Sequence, residues 1–355
     1  MNNMALDNQT KKNFKKVLII STLIVGSLLL ILLLFLLWTK YVIHNEKTVY
    51  VNTPDSSITL DTGIDKIETF PVSVDPANKK IIEDPTLNVY LENHLSMSDY
   101  SKYRQARWFD RLVAKLSESS LYQQLASPRS RILVIYPGER KEEIVKNFGD
   151  ILHWNKEQRK TFSDEITKTE PLLEDGKFFP GRYVVDTKIT PEATADLVNA
   201  RFVSEILNKY DNTVADKVPL QDALTIASLL EREAYDFTDM RLISGVIWNR
   251  LFVDMPLQLD ASLQYVRGSK VTEPKWWPTP KPADKFLKSP YNTYKNTGLP
   301  PTPIANPSVE AVVAALNPEI TPCMFYFHDT KGGFHCTKTY EEHVAKLKKI
   351  YGRGI

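Results

Sequence analysis

The stretch that decides the fold is PLQDALTIASLLEREA, residues 219–234. Pro219 suits a first helical position, because the N–H that proline lacks would have no intrahelical partner there. The apolar side chains recur at the i, i+3, i+4, i+7 spacing of a helix with one buried face. They are Ala223, Ile226, Ala227, Leu230 and Ala234. The stretch therefore predicts an amphipathic helix packed against a core.

Two glutamates near the end of this helix flank its apolar stripe. At about 100° per residue, Glu231 lies roughly 70–80° to one side of the stripe and Glu233 about as far to the other. Because an i, i+2 pair does not share a helix face, a catalytic carboxylate here would act without the other. Half-burial raises the pKa of a glutamate, which suits a general acid near neutral pH. The simpler alternative is that both are ordinary solvated helix charges.

Composition and charge place the chain among globular proteins and give no case for nucleic-acid binding. The 355 residues are 43% hydrophobic and 25% charged, with a formal net charge of +2. Four lysines against Asp7 give residues 1–16 a charge of +3, so the remainder carries −1. A body near neutrality lacks the basic surface that phosphate backbones require.

Residues 17–38 form an apolar run that predicts a single transmembrane helix. At 1.5 Å per residue this run spans about 33 Å, enough for a bilayer core. The lysines before it predict a cytoplasmic N-terminus and a body outside the cytoplasm, periplasmic or extracellular, anchored in the cell (inner) membrane. The rival reading is a cleaved signal peptide, although no small-residue cleavage site follows the run.

The rest of the chain alternates strand and helix patterns, which predicts an α+β protein. Predicted strands are Thr48–Val51, Lys66–Val74, Arg131–Tyr136 and a hairpin of Met324–His328 with Phe334–Thr337. Predicted helices are Leu91–Leu125, Lys141–Leu152, Pro191–Lys209, one capped by Thr238 or Asp239 and ending at Leu251, Ser308–Leu316 and Tyr340–Tyr351. Residues Gly176 to Tyr183 are expected to form an aromatic loop.

Cysteines and histidines offer no cofactor site. Cys323 and Cys336 flank the predicted hairpin, so one disulfide outside the cytoplasm or two free buried thiols both remain open. The six histidines are scattered, and neither a CxxC nor an HExxH spacing occurs, so neither a metal nor a cofactor is expected.

Amides and aromatic residues crowd the region from residue 225 to residue 307. They are Asn249, Gln258, Asn292, Asn306, Tyr291, Tyr294, Trp276 and Trp277. Amides hydrogen-bond sugar hydroxyls and aromatic rings cover apolar sugar faces, so this composition suits an uncharged polyhydroxylated ligand. The alternative is that the amides satisfy loop backbones and the rings fill the core. No GxSxG motif supports serine hydrolase chemistry.

Several motifs, taken in order, resemble one family. They are IASLLERE (226–233), VIWNRL (246–251), MPLQLD (255–260), YNTY (291–294), GLPPTPIANP (298–307) and KGG (331–333). Their order and spacing are similar to those of the MltG/YceG family of endolytic murein transglycosylases, through about residues 173–350.

The resemblance implies an architecture and a set of site residues. It implies a cytoplasmic tail (1–16), a transmembrane helix (17–38), a small divergent LysM-like α+β region (39–152) and a mixed α/β catalytic domain (153–355). It puts the essential glutamate at Glu231. The residues it implies along the groove are Asn249, Gln258, Asp260, Asn292 and Tyr294. It further implies that the loop 176–183 lies beside the groove.

The implied reaction is cleavage of the bond between N-acetylmuramic acid and N-acetylglucosamine in peptidoglycan. One glutamate acts as acid and then as base, leaving a 1,6-anhydro end, and the partners are glycan strands, the membrane and the peptidoglycan synthesis machinery. Two alternatives stay open. A hydrolytic muramidase would need a second carboxylate, for which Asp260 is the candidate. A membrane-anchored peptidoglycan-binding scaffold would need the groove but no acid.

Overall fold

The computed structural model describes residues 26–27, 69–95, 129–168, 171–269 and 275–352. These residues form the predicted mixture of helices and sheets. The strands are β1 Val74–Asp75, β2 Lys80–Ile81, β3 Ser130–Ile135, β4 Gly181–Asp186, β5 Phe325–His328 and β6 Phe334–Thr337. The α-helices are α1 Pro85–Leu95, α2 Lys141–Ile151, α3 Lys156–Thr167, α4 Pro191–Glu205, α5 Asn212–Ala215, α6 Leu220–Glu233, α7 Phe237–Phe252, α8 Asp260–Gly268, α9 Val309–Leu316 and α10 Tyr340–Tyr351.

The predicted membrane segment falls almost wholly outside the described residues. Of residues 17–38, only 26–27 are described, and they are helical. None of the helices in the described ranges has the length and apolar character needed to cross a bilayer. The tail 1–16 and the strand predicted at 48–51 also lie outside, and the predicted LysM-like region is described only at 69–95 and 129–152.

Two apolar cores organise the described residues. In the first, the antiparallel pair β3–β4 packs with α2, α3 and α4 around Phe148, Phe162 and Phe178. This sheet joins residues on both sides of the domain boundary predicted between residues 152 and 153, because Ser130 pairs with Asp186 and Ile135 with Gly181.

The second core is built on α6, α7 and α9. Every residue of α6 from Ala223 to Glu231 is buried, so the helix lies in the middle of the domain. It packs against α9, an apolar helix buried along its whole length. Pro219 precedes the helix as its N-cap and is not its first helical residue.

Most of the described predicted elements are confirmed. Helices α2, α4, α9 and α10 and the β5–β6 hairpin lie within a few residues of their predicted bounds. Of the helix predicted at 91–125, residues 91–95 form the end of α1 and the remainder lies outside the described residues. Cys323 and Cys336, left open by the sequence, form a disulfide that ties the start of the hairpin to β6.

Some local predictions are wrong, each for an identifiable reason. Among the described residues of the strand predicted at 66–74, only Val74 is in a strand. The Phe70 N–H donates to the Lys209 carbonyl and the Ser73 N–H to the Leu316 carbonyl, so these residues make single backbone bonds to distant segments and no continuous strand pairing. The predicted loop 176–183 ends in β4, because Gly181 starts the pairing with β3.

The predicted cap of α7 is also wrong, and two helices were not predicted. Asp236, not Thr238 or Asp239, caps α7 by accepting the Asp239 N–H at 2.9 Å. Helices α3 and α8 were not predicted. The first has a capping box between Asn155 and Gln158 that the sequence analysis overlooked.

Candidate active site

Glu231, the acid that the sequence favours, is enclosed in the core. Its side chain is 1% exposed, and its Oε2 accepts the Ser308 N–H at 3.0 Å and the Ser308 hydroxyl at 2.7 Å. Ser308 is the N-cap of α9, so Glu231 joins the end of α6 to the start of α9. The expected half-burial is therefore wrong, because α9 covers the face on which Glu231 lies.

A turn that contains Gly138 also packs against Glu231. Gly138 has φ +85°, a left-handed conformation that glycine adopts without strain. A Cβ atom at this position would lie 3.5 Å from Cγ of Glu231 and 3.3 Å from a guanidinium nitrogen of Arg232. The turn is held by reciprocal backbone bonds with Asn306. Glu231 is thus packed against α9 and this turn, and its side chain is almost wholly removed from solvent.

Glu233 has the more open environment of the two. It is partly exposed at the last position of α6. Its Oε1 accepts the Ala261 N–H at 3.1 Å, and its Oε2 accepts the Tyr326 hydroxyl at 3.2 Å. Ala261 lies in the first turn of α8, where backbone N–H groups lack intrahelical partners. The carboxyl group of Glu233 therefore links α6, α8 and the hairpin, in a residue that is partly exposed as a whole.

The electrostatic surroundings favour the protonated form of Glu233. Burial raises the pKa of Glu233, and the nearby negative charge of Asp260 raises it further. The hydrogen bonds from Ala261 and Tyr326 and the charge of His328 oppose this increase without cancelling it. A raised pKa is the property that a general acid requires.

Asp260 and Tyr294, both predicted at the site, meet beside Glu233. The Tyr294 hydroxyl donates to Oδ1 of Asp260 at 2.8 Å. Asp260 is exposed at the first position of α8, directly before the residue whose N–H reaches Glu233. Burial and the charge of Asp260 raise the pKa of Tyr294, so the tyrosine stays a neutral donor.

Gln258, also predicted, is exposed two residues before Asp260. Its φ of +53° lies in the left-handed region that residues other than glycine seldom occupy. Its backbone N–H donates to the carbonyl of Thr293 at 2.9 Å, which fixes the loop against the YNTY segment. Backbone strain of this kind is concentrated at binding sites, where surrounding contacts maintain it.

The other two predicted amides donate to backbone carbonyls of neighbouring segments. The Asn249 amide donates to the carbonyls of Thr321 at 2.7 Å and Cys323 at 3.1 Å, so it holds the segment before the hairpin. Asn292 is fully buried and donates to two carbonyls of the preceding loop, Lys285 and Leu287, while its oxygen accepts the Tyr294 N–H. Asn292 therefore orients Tyr294, and the place of both amides along a groove stays a prediction.

The aromatic loop at 176–183 likewise contributes to the cores. Phe178 and Phe179 are buried, and the Phe178 N–H donates to Oδ1 of Asn306 at 2.9 Å. Beside this loop Asp175 is buried and accepts the Lys141 N–H at 2.7 Å and the Tyr265 hydroxyl at 2.9 Å. Burial, together with the charge of Glu142, raises the pKa of Asp175 to about 7.

Two residues that the sequence analysis missed complete the arrangement. Tyr326 lies on β5 and contacts Glu233 as described. Arg250 is buried on α7 and donates to the carbonyls of Met324 and Leu257, both at 2.6 Å, so it ties the hairpin to the loop that carries Gln258. The arginine of the WNRL segment can be noticed in the sequence, but the backbone carbonyls to which it donates cannot be identified there. Within the described ranges no group of three or more His, Cys, Asp or Glu side chains could hold a metal ion.

Comparisons with known proteins agree on one family. The model of the YceG-like family matches residues 77–349. A protein of Bacillus subtilis named endolytic murein transglycosylase is 32% identical over 225 residues, which is 60% of this chain and 59% of the relative. One of the same name from Streptococcus pneumoniae serotype 2 is 31% identical over 203 residues, covering 53% of this chain and 37% of the relative.

A solved structure agrees with the fold. The crystal structure of a YceG-like protein from Listeria monocytogenes superimposes with a TM-score of 0.53 and 24% identity, covering 79% of this chain and 98% of that one. At this identity the likeness concerns the fold alone. The matched region spans little more than half of the Bacillus subtilis relative and about a third of the pneumococcal one.

Proposed function

Because this chain belongs to the YceG-like family, we propose that it is an endolytic transglycosylase of peptidoglycan and that Glu233 is its acid. The names of the two curated relatives support the reaction class. The choice of residue depends on the contrast between Glu231 and Glu233. Glu231 is buried and accepts a hydrogen bond from Ser308, whereas Glu233 is partly exposed and has a raised pKa. The assignment of Glu231 from sequence stays a prediction, and the contacts favour Glu233.

The reaction needs a single carboxyl group that works twice. Protonated Glu233 donates its proton to the glycosidic oxygen between N-acetylmuramic acid and N-acetylglucosamine, and the bond from C1 to that oxygen breaks. The muramic 6-hydroxyl attacks C1, and ionised Glu233 takes the hydroxyl proton. The acid is regenerated, and the new end is a 1,6-anhydro sugar. An intramolecular hydroxyl has the proximity advantage that a free water lacks.

Asp260 contributes charge in this scheme. Its negative charge raises the pKa of Glu233 in addition to the effect of burial, and it favours the positive charge that develops at C1. Its Oδ1 is held by the Tyr294 hydroxyl, which fixes the direction of the group. The Tyr326 hydroxyl and the Ala261 N–H bind the ionised form of Glu233, so they stabilise the carboxylate that must remove the second proton.

The proximity of Asp260 also favours a second candidate, a hydrolytic muramidase. In that case Asp260 would activate water or attack C1 while Glu233 serves as acid. Mass spectrometry of the products from purified glycan strands separates the two. Anhydro ends agree with the transglycosylase, reducing ends would replace it by the hydrolase, and intact strands would leave the anchored, non-catalytic scaffold.

Location outside the cytoplasm is part of the proposal. The apolar run 17–38 supports a membrane anchor, and the Cys323–Cys336 disulfide suits an oxidising compartment. Protease added to intact spheroplasts should degrade the body of the protein. Protection of the body until the membrane is opened would contradict this location.

A further inference from the structure

Tyr235 is a large aromatic side chain that the protein leaves in solvent beside Glu233. It is 53% exposed and lies between the end of α6 and the start of α7. The Cα atoms of Glu233 and Tyr235 are at most about 7 Å apart, because two residues of extended chain reach no farther. The Tyr235 ring is also connected to the proposed acid through contacts, because it packs on His328, whose ring contacts Tyr326, and the Tyr326 hydroxyl bonds Glu233.

One buried carboxylate fixes this tyrosine. Oδ2 of Asp239 accepts the Tyr235 backbone N–H at 2.8 Å, and the same carboxylate bonds Nε2 of His328 at 2.8 and 3.0 Å. Asp239 is itself held through its own N–H by Asp236. The Tyr235 backbone and the imidazole are thus anchored to the same group.

The imidazole in turn supports the tyrosine ring. The rings of Tyr235 and His328 meet edge to face, with centroids 4.8 Å apart and an angle of 82° between their planes. His328 follows Tyr326 by two positions on β5, so both side chains lie on the same face of the hairpin. The tyrosine is therefore pre-organised, and a ligand that covers it would lose little side-chain entropy on binding.

We propose that Tyr235 is a stacking platform for the pyranose ring next to the one cleaved at Glu233. The ligand is an uncharged N-acetylhexosamine unit of the strand, whose apolar C–H face covers the ring while its hydroxyl groups remain in water. This proposal rests on the proposed function for the identity of the strand. It adds a subsite that depends on Tyr235 and its support by His328.

The test measures steady-state cleavage of purified glycan strands by the full chain. Tyr235→Ala raises KM about 10-fold at a nearly unchanged kcat, which corresponds to about 1.4 kcal/mol. Tyr235→Trp keeps the stacking surface and restores KM. The matched control is Tyr340→Ala, which removes a tyrosine of similar exposure, 55%, that contacts Phe325 on the opposite face of the hairpin and leaves both constants unchanged.

A binding measurement separates this proposal from the proposed function. The Glu233→Gln chain is titrated with the same strands, with and without Tyr235→Ala, and the second change weakens binding about 10-fold. Binding that depends on Tyr235, together with no cleavage of the strands by the unsubstituted chain, would keep the subsite and discard the reaction. Equal affinity of the two variants would overturn the subsite, and no binding by either would overturn both.

Discussion

The contacts of Glu233 predict that two substitutions move the pH dependence of cleavage in opposite directions. Tyr326→Phe removes a hydroxyl that donates to the ionised carboxylate. The pKa of Glu233 then rises, so the loss of activity on the alkaline side occurs at higher pH. Asp260→Asn removes a negative charge that favours the protonated form. The pKa of Glu233 then falls, and activity is lost at lower pH.

The size of the Tyr326 effect follows from the bond length. Hydrogen bonds to charged groups contribute about 1.5–3 kcal/mol, and 3.2 Å is long for an O–H donor. The low end of this range applies, and about 1.4 kcal/mol corresponds to a displacement of about one pH unit. In Asp260→Asn the amide oxygen can still accept from Tyr294, so the change is mainly one of charge.

The assay is kcat/KM for the release of anhydro-ended fragments, measured across about pH 4–9 because this ratio reports the free enzyme. Tyr291→Phe is the control. In the described part of the chain the Tyr291 hydroxyl is hydrogen-bonded to Thr302, so its removal should leave the pH profile of cleavage unchanged. Displacement of both profiles in the same direction, or of neither, would refute the role given to Glu233.

Three stability predictions follow from buried groups. Glu231→Gln weakens two hydrogen bonds from Ser308, so the free energy of unfolding should fall by about 1–3 kcal/mol. The Tm should fall by about 2–4 °C for each kcal/mol. An unchanged Tm would show that these bonds contribute nothing to stability. Cys323→Ser opens a loop closed over 13 residues and should remove up to about 3 kcal/mol in urea titrations without reductant. Equal stability of the two chains, with no effect of reductant on the unsubstituted one, would argue that the bond is absent. Asp175 holds a proton in the folded state from about pH 4 to about pH 7, so it makes stability fall by at most about 1.4 kcal/mol per pH unit over that window. Asp175→Asn should flatten this slope, and an identical slope in both chains would contradict the raised pKa.

Local patterns foretold most of the described helices and the hairpin because the signals lie within a few residues. The apolar spacing of residues 223–234 predicts α6, and Ser308 before an apolar run predicts the start of α9. For these helices the sequence signal and the structure share the same short stretch of chain. Asp260 and Tyr294, which do meet, were instead named by the family resemblance, since they lie 34 positions apart.

The choice between the two glutamates required long-range information. Periodicity shows which face of α6 is apolar, but only the approach of α9 decides that Glu231 is sealed, through a residue 77 positions away. Likewise Tyr326 reaches Glu233 from 93 positions away. The amides Asn249 and Asn292 looked like ligand donors because nothing in the sequence shows that backbone carbonyls already occupy them.

Side-by-side rates of Glu231→Gln and Glu233→Gln test the account most directly. Both full chains are purified, their folded fractions are measured, and the release of 1,6-anhydro ends is followed by mass spectrometry. Glu233→Gln should lose at least about 10²-fold in kcat while remaining folded, and Glu231→Gln should keep activity in proportion to its folded fraction. Wild-type turnover by Glu233→Gln, with folded Glu231→Gln inactive, would show that the sealed carboxyl group is the acid.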